Sequence, residues 1–147
     1  MSEKSKKIVT IIVIILVTLG IYSVGNAYIL KHNRGDVHEV QRSMADSTVY
    51  NENDIVSAMD FVQNHFFLTF RGCKLTALWY PGDETIAQAE EWAAKYDADQ
   101  AIVLVSNFDV DSSGGDGSLN PDSTYTNWKW ILTRDEGEDW VLETWGY

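Results

Sequence analysis

Residues 8–30 form an unbroken run of 23 residues without a charged side chain, IVTIIVIILVTLGIYSVGNAYIL, and no other feature of the 147-residue chain restricts its fold so strongly. As a helix, a segment of this length reaches about 34 Å at roughly 1.5 Å per residue, enough to cross a hydrocarbon layer about 30 Å thick. In lipid a helix is the one single-segment conformation that satisfies its own backbone, which overrides the weak helix preference of the many Ile and Val residues. A buried helix of a soluble protein would need apolar partners on all sides, more than a small domain supplies. Lys4, Lys6 and Lys7 precede the run against a single acid, Glu3. That bias predicts a cytoplasmic N terminus and an extracytoplasmic C-terminal domain. The expected arrangement is therefore a basic tail at residues 1–7 and a transmembrane signal anchor at 8–30, single-pass in the cell membrane. The alternative is a signal peptide with its hydrophobic stretch at 8–19, cleaved near Ala27 at Gly25-Asn26-Ala27, which would secrete the domain. Tyr28, Ile29 and Leu30 carry the apolarity past that point and favour the anchor.

The charge divides at the same run. The whole chain is −11, but residues 31–147 hold 8 basic and 21 acidic side chains, a net −13. A field of that sign repels phosphate backbones, so no nucleic-acid partner is expected. Six Trp, seven Tyr and five Phe give enough core-forming area to argue against disorder. The single cysteine, Cys73, rules out an intramolecular disulfide framework and a multi-cysteine zinc site.

Residues 31–50 are mixed in charge and poor in large apolar side chains, which predicts a stalk in which His32 and His38 are solvated. Residues 51–147 are the expected extracytoplasmic α+β domain. Asn51 followed by Asp54 reads as a helix N-cap, and Ile55, Met59, Val62, Phe66 and Phe70 make one apolar face. Phe61, Phe67 and Leu68 widen that surface, so this helix is expected to be covered on more than one side. Gly72 stands where a left-handed terminator belongs. Residues 73–80 alternate as a strand, with Cys73, Leu75, Ala77 and Trp79 on one side and Lys74, Thr76, Leu78 and Tyr80 on the other. Pro81-Gly82 ends the strand. Asp83 is the expected cap of a second helix at 84–96, with Ile86, Ala89, Ala93 and Tyr96 inward. The apolar run 101–110 reads as a central strand, and residues 111–124 as an irregular stretch. A C-terminal hairpin at 125–134 and 139–147 closes the chain. Trp128, Trp130 and Leu132 share a face on its first arm, and Trp140, Leu142 and Thr144 share one on its second. The order of elements predicts two helices packed on one face of a curved antiparallel sheet.

That order resembles the cystatin-like architecture of nuclear transport factor 2-like domains, in which a long helix lies across a strongly bent sheet that can form a pocket. The segments FDVDSSGGDGS, YTNWKWILTR and WVLETWGY are also similar to a family of uncharacterised exported domains from Gram-positive bacteria. The resemblance covers about residues 51–147 and implies a fold and an exported location. It implies no activity and carries over no catalytic residue.

Three patterns carry candidate chemistry. In the loop after the central strand, Asp109, Asp111, Ser113 and Gly114 match positions one, three, five and six of a calcium loop, with Asp116 as a possible substitute ligand. Position twelve is Asn120 rather than a bidentate Glu, so any calcium site would be weak. A Gly/Ser/Asp loop whose side chains bond their own backbone is the alternative. Trp128, Trp130 and Trp140 on the hairpin faces, with Trp79, Trp92 and Trp145, are candidates for an aromatic binding pocket or stacking platform, or else for core. Asp60, His65, Tyr80 and Tyr96 are the residue types that an isomerase or dehydratase would place in a pocket, though nothing in their spacing forces convergence. The expected function is a membrane-anchored binding or protein-interaction module, with a small pocket enzyme as the alternative. No cofactor other than calcium is expected.

Overall fold

The computed structural model describes residues 2–147, apart from the side chains of residues 30–32, among them His32. The chain divides into two units, Met1–Asn33 and Arg34–Tyr147. The first is helix α1 (Glu3–His32), opened by Ser2, whose hydroxyl accepts from the Ser5 N–H at 3.2 Å. Within Glu3–Ile29 an 18-residue window has a mean hydropathy of 2.6, and the helix is long and apolar enough to cross a membrane. Its polar side chains turn inward: the hydroxyls of Thr10, Thr18 and Ser23 donate to the carbonyls of Lys6, Ile15 and Gly20. These bonds satisfy the three hydroxyls within the helix itself.

The second unit is α+β. It contains β1 (Gln41–Met44), α2 (Glu52–Thr69), β2 (Cys73–Tyr80), α3 (Ile86–Tyr96), β3 (Gln100–Val110), β4 (Ser123–Arg134) and β5 (Val141–Gly146). The strands form one curved, open sheet in the order β1-β2-β3-β4-β5. β1 runs parallel to β2 and the other three pairings are antiparallel, so the sheet is mixed rather than purely antiparallel.

The segment expected to be a stalk folds with the domain. Gly35 donates its N–H to the Phe67 carbonyl at 2.9 Å, and a Cβ at Gly35 would overlap the Phe66 carbonyl. Asp36 bridges Lys74, β1 pairs with β2, and Tyr50 is buried against Tyr80 and Trp140. Short strands and single anchoring residues leave little periodicity, which is why composition alone reads this stretch as a linker.

Helix α2 begins as expected. The Asn51 side chain accepts from the Asp54 N–H at 2.9 Å, and the Asp54 carboxylate accepts from the Asn51 N–H at 3.2 Å. This reciprocal pairing satisfies two otherwise orphaned donors. Asp54 also pairs with Arg134 at 2.8 Å, and the Arg134 guanidinium lies 4.2 Å from the Trp140 ring centre. Ile55, Ala58, Met59, Val62 and Phe66 are buried on the sheet. The sheet covers one side of the helix and the segment from Arg34 part of another, with the Arg34 guanidinium over Phe67, while Phe61 and Leu68 stand exposed.

Two register shifts correct the strand faces. Between Leu75 and Ala77, β2 carries an extra residue, Thr76, so Leu78 and Tyr80 join Cys73 and Leu75 in the core while Ala77 and Trp79 turn to the other face. A bulge reverses the period-two alternation beyond it. In β5 the shift falls at Glu143: Leu142 pairs with Leu132, Thr144 with Ile131 and Trp145 with Trp130. Cross-strand partners share a face, so Trp145 takes the inner place expected of Thr144.

The helices lie on opposite faces of the sheet rather than on one. Along β3, Ile102 and Leu104 pack in the core with α2, whereas Ala101 and Val103 pack with Ala89 and Ala93 of α3 and with Ile131. The long apolar run of β3 is what a strand covered on both faces requires. Asp83 does not cap α3. It begins a short 3-10 turn, Asp83–Thr85, and accepts from the Ser47 hydroxyl at 2.8 Å and the Thr48 N–H at 2.9 Å. These bonds hold its carboxyl below the usual range, those from Thr48 being the largest cause.

Candidate functional site: an aromatic cavity at the end of helix α2

Where α2 ends, four pieces of chain meet around a cavity of about 410 Å³. The helix supplies His65 and Thr69, and the turn after it Phe70, Arg71 and Cys73. The Asp/Gly/Ser loop supplies Gly115, Asp116, Ser118 and Leu119, and the hairpin supplies Trp128 and Trp145. Phe70 breaks the helix, and Gly72 follows with φ +70°, turning the chain into β2. A Cβ at Gly72 would meet the Ser113 hydroxyl and the Asp111 carboxylate, so the turn and the loop are packed directly together.

The loop is fastened at both ends. The Asp111 N–H donates to the Gly72 carbonyl at 2.8 Å, and the Asn120 N–H to the Tyr125 hydroxyl at 3.1 Å. In its middle, Arg71 donates from Nε to the Gly115 carbonyl at 3.3 Å. Gly114, Gly115 and Gly117 all have positive φ, which lets the chain fold back so that Leu119 reaches the core.

Each carboxylate of the expected calcium loop has a hydrogen-bond partner close to it in the sequence or on the adjoining strand. Asp109 accepts from the Thr124 hydroxyl at 2.6 Å, Asp111 accepts from the Ser113 N–H and hydroxyl, and Asp116 accepts from the Ser118 hydroxyl at 2.6 Å. Ser118 also holds the Asp116 carboxyl below its usual range, with the nearby Arg71 charge adding a little. Among the described residues no group of three or more His, Cys, Asp or Glu side chains is placed to hold a metal ion. The loop works as a self-bonded turn that walls one side of the cavity.

The three nominated tryptophans part company. Trp130 is fully buried and donates from Nε1 to the Ser106 hydroxyl at 2.8 Å. Trp140 is buried and donates to the Asp54 carbonyl at 3.1 Å. Both are core residues. Trp128 lines the cavity, held edge-on by Phe108 and Tyr125 with centroids 5.4 Å away, and its buried Nε1 has no hydrogen-bond partner. Trp145 stacks on Trp130 at 6.2 Å yet remains 46% exposed. Sequence reasoning gave it no inner face on the hairpin, because the bulge at Glu143 leaves no trace in the alternation.

His65 is the second unusual group. Its ring lies 5.2 Å from Trp145, 6.2 Å from Trp130 and 6.4 Å from Phe70. Its Nε2 is buried without a partner, and burial holds its pKa below 6.5, so the ring is neutral at pH 7. The other members of the candidate catalytic set lie elsewhere. Asp60 pairs with Arg42 at 2.6 Å on an exposed surface, the buried Tyr80 hydroxyl sits 3.3 Å from Asp83, and Tyr96 stacks on Trp92. Cys73 is buried in the cavity wall, and its thiol is pushed up to about 11 by that burial and by the charges of Asp111 and Asp116, which leaves it protonated and unreactive at pH 7. No protein-family model, curated protein or solved structure matches this chain.

Proposed function

We propose that this protein is an exported, membrane-anchored binding module whose domain takes a small ligand into the cavity between His65, Trp128 and Trp145. In this reading α1 is the anchor, and the lysines before it keep the N terminus in the cytoplasm. The single observation that carries the proposal is the aromatic cavity itself, about 410 Å³ and walled by His65, Phe70, Trp128 and Trp145. Its apolar walls give a small ligand area to bury. A nuclear transport factor 2-like kinship belongs to the same proposal, supported by the long helix α2 on a curved sheet with a cavity at its end.

Intrinsic tryptophan fluorescence of the full chain in amphipol tests the proposal, titrated with a panel of lipids, glycans and peptidoglycan fragments. A saturable change for at least one compound is expected. It should weaken about tenfold in Trp145→Ala, which removes one aromatic wall of the cavity. A panel without any response, or one whose responses are unchanged in Trp145→Ala, overturns the proposal.

A further inference from the structure

The two edges of the sheet differ in how they meet water. β1, at one end of the strand order, is four residues long, exposed throughout, and carries Arg42. Short length and charge of this kind discourage pairing with a foreign strand. β5, at the other end, is six residues long, contains no Lys, Arg or Pro, and among the described residues pairs with β4 alone. Its outer row of N–H and C=O groups is therefore open to a further strand. The flank of α2 beside it is apolar. Phe61, His65 and Leu68 recur at steps of four and three, which places them on one side of the helix, and the His65 ring lies 5.2 Å from Trp145 of β5. Phe61 and Leu68 are 39% and 53% exposed. A strand added at the usual spacing of about 4.8 Å beyond β5 would run under this stripe and cover it.

Charge selects the occupant. At the start of β5 a second cavity, of about 320 Å³, lies between Phe61, Asn64 and Trp140, with Glu138 and Asp139 at its wall. Its Asp60 is paired with Arg42 and its Arg134 with Asp54, while Glu138 and Asp139 are exposed and form no salt bridge among the described residues. Neither α2 nor β5 contains a Lys or Arg. We propose that this edge binds an extended, basic polypeptide segment, which adds to β5 as a further strand, lays its apolar side chains against Phe61 and Leu68, and pairs a Lys or Arg with Glu138 and Asp139. A second copy of this chain fits less well: a net −13 over residues 31–147 would meet the same charge, and its own β5 brings no base to the acidic pair. The bulge at Glu143 twists the edge, which favours one short added segment over open-ended stacking of sheets. Binding here does not depend on a ligand in the cavity beside Trp128.

The test uses the full chain in an uncharged detergent with dye-labelled peptides of alternating Val and Thr, followed by fluorescence anisotropy and amide hydrogen exchange at pH 7. One peptide has Lys at each end and a second has Glu there. A third keeps the Lys but has Pro in place of Thr, which removes backbone donors and blocks strand pairing. The Lys peptide is expected to bind saturably and to slow exchange within Val141–Gly146. The Glu and Pro peptides should bind at least about tenfold more weakly. The Lys peptide should itself lose about tenfold in the double variant Glu138→Lys with Asp139→Lys and several-fold in Phe61→Ala, each melting as the wild type does. Glu39→Lys, just before β1 at the opposite edge, should leave its binding unchanged. No binding of the Lys peptide overturns the proposal, as does binding that leaves exchange in β5 unaltered. Equal binding of the Glu peptide overturns the basic partner. Protection of β5 that rises with protein concentration in the absence of peptide would put a second copy at the edge and overturns the proposal as well.

Discussion

His65 is held neutral because three aromatic rings and the cavity wall replace water around it. Its folded pKa lies below the unfolded value of 6.5, so as pH falls the unfolded chain takes up this proton first. The contribution of His65 to stability is therefore complete above about pH 6.5 and declines below it, until the folded ring also protonates. Melting temperature measured from about pH 7.5 to about pH 5.5 should fall more steeply for the wild type than for His65→Gln. Equal slopes would show that the ring is already solvated. The contrast with Trp140 is instructive at the same scale. Trp140 has its N–H bonded to Asp54 and its face under Arg134, so every feature that makes an indole useful to a ligand is already engaged inside the fold.

At the scale of elements, the domain depends on where its strands break their alternation. Thr76 is the extra residue of β2, and its hydroxyl bonds the Asn107 carbonyl at 3.0 Å across the bulge. Deleting Thr76 would restore an unbroken alternation with Cys73, Leu75, Leu78 and Tyr80 all inward, so denaturant unfolding should keep its single cooperative transition, whereas one residue inserted after Ala77 would turn Leu78 and Tyr80 to the outer face and abolish it. Thr76→Val removes only the hydroxyl bond and should cost about 1 kcal/mol in the same experiment. The bulge also explains what was legible in advance. Helix α2 with its Asn51 cap, the central strand β3 and the Trp128-Trp130-Leu132 face all follow from local spacing, and each is present. The inner places of Leu78, Tyr80 and Trp145 follow from a non-local pairing register that periodicity does not record. The same holds for the site. The Asp/Gly/Ser loop and the tryptophan hairpin were readable as places of interest, yet their meeting with His65 and Arg71 comes from the fold of the turn at Gly72. The opposite placement of α3 was hidden for a related reason: a strand of continuous apolar residues does not say how its two faces are shared.

For the whole molecule, the important boundary lies at Arg34 rather than at Asn51. A chain beginning at Arg34 keeps Gly35 on Phe67, β1 on β2, and the Tyr50 hydroxyl on the Ala101 carbonyl, and should melt in one cooperative transition. A chain beginning at Asn51 loses all three. Removal of a buried aromatic alone costs about 3–5 kcal/mol, a large share of the 5–15 kcal/mol typical of a domain, so this shorter chain should show no cooperative melt. A sharp transition for residues 51–147 would return the preceding segment to the status of a linker. The strand order β1-β2-β3-β4-β5 has a further consequence, which concerns time. Each strand that leaves the ribosome pairs with the one made just before it, so the sheet can grow in the order of synthesis without waiting for a distant partner. The cavity is the exception: its wall joins His65 of α2 to Trp145 of β5, the last strand of the sheet. The site therefore comes into being only when β5 is added, and a product stopped short of that strand would carry most of the sheet and no complete site.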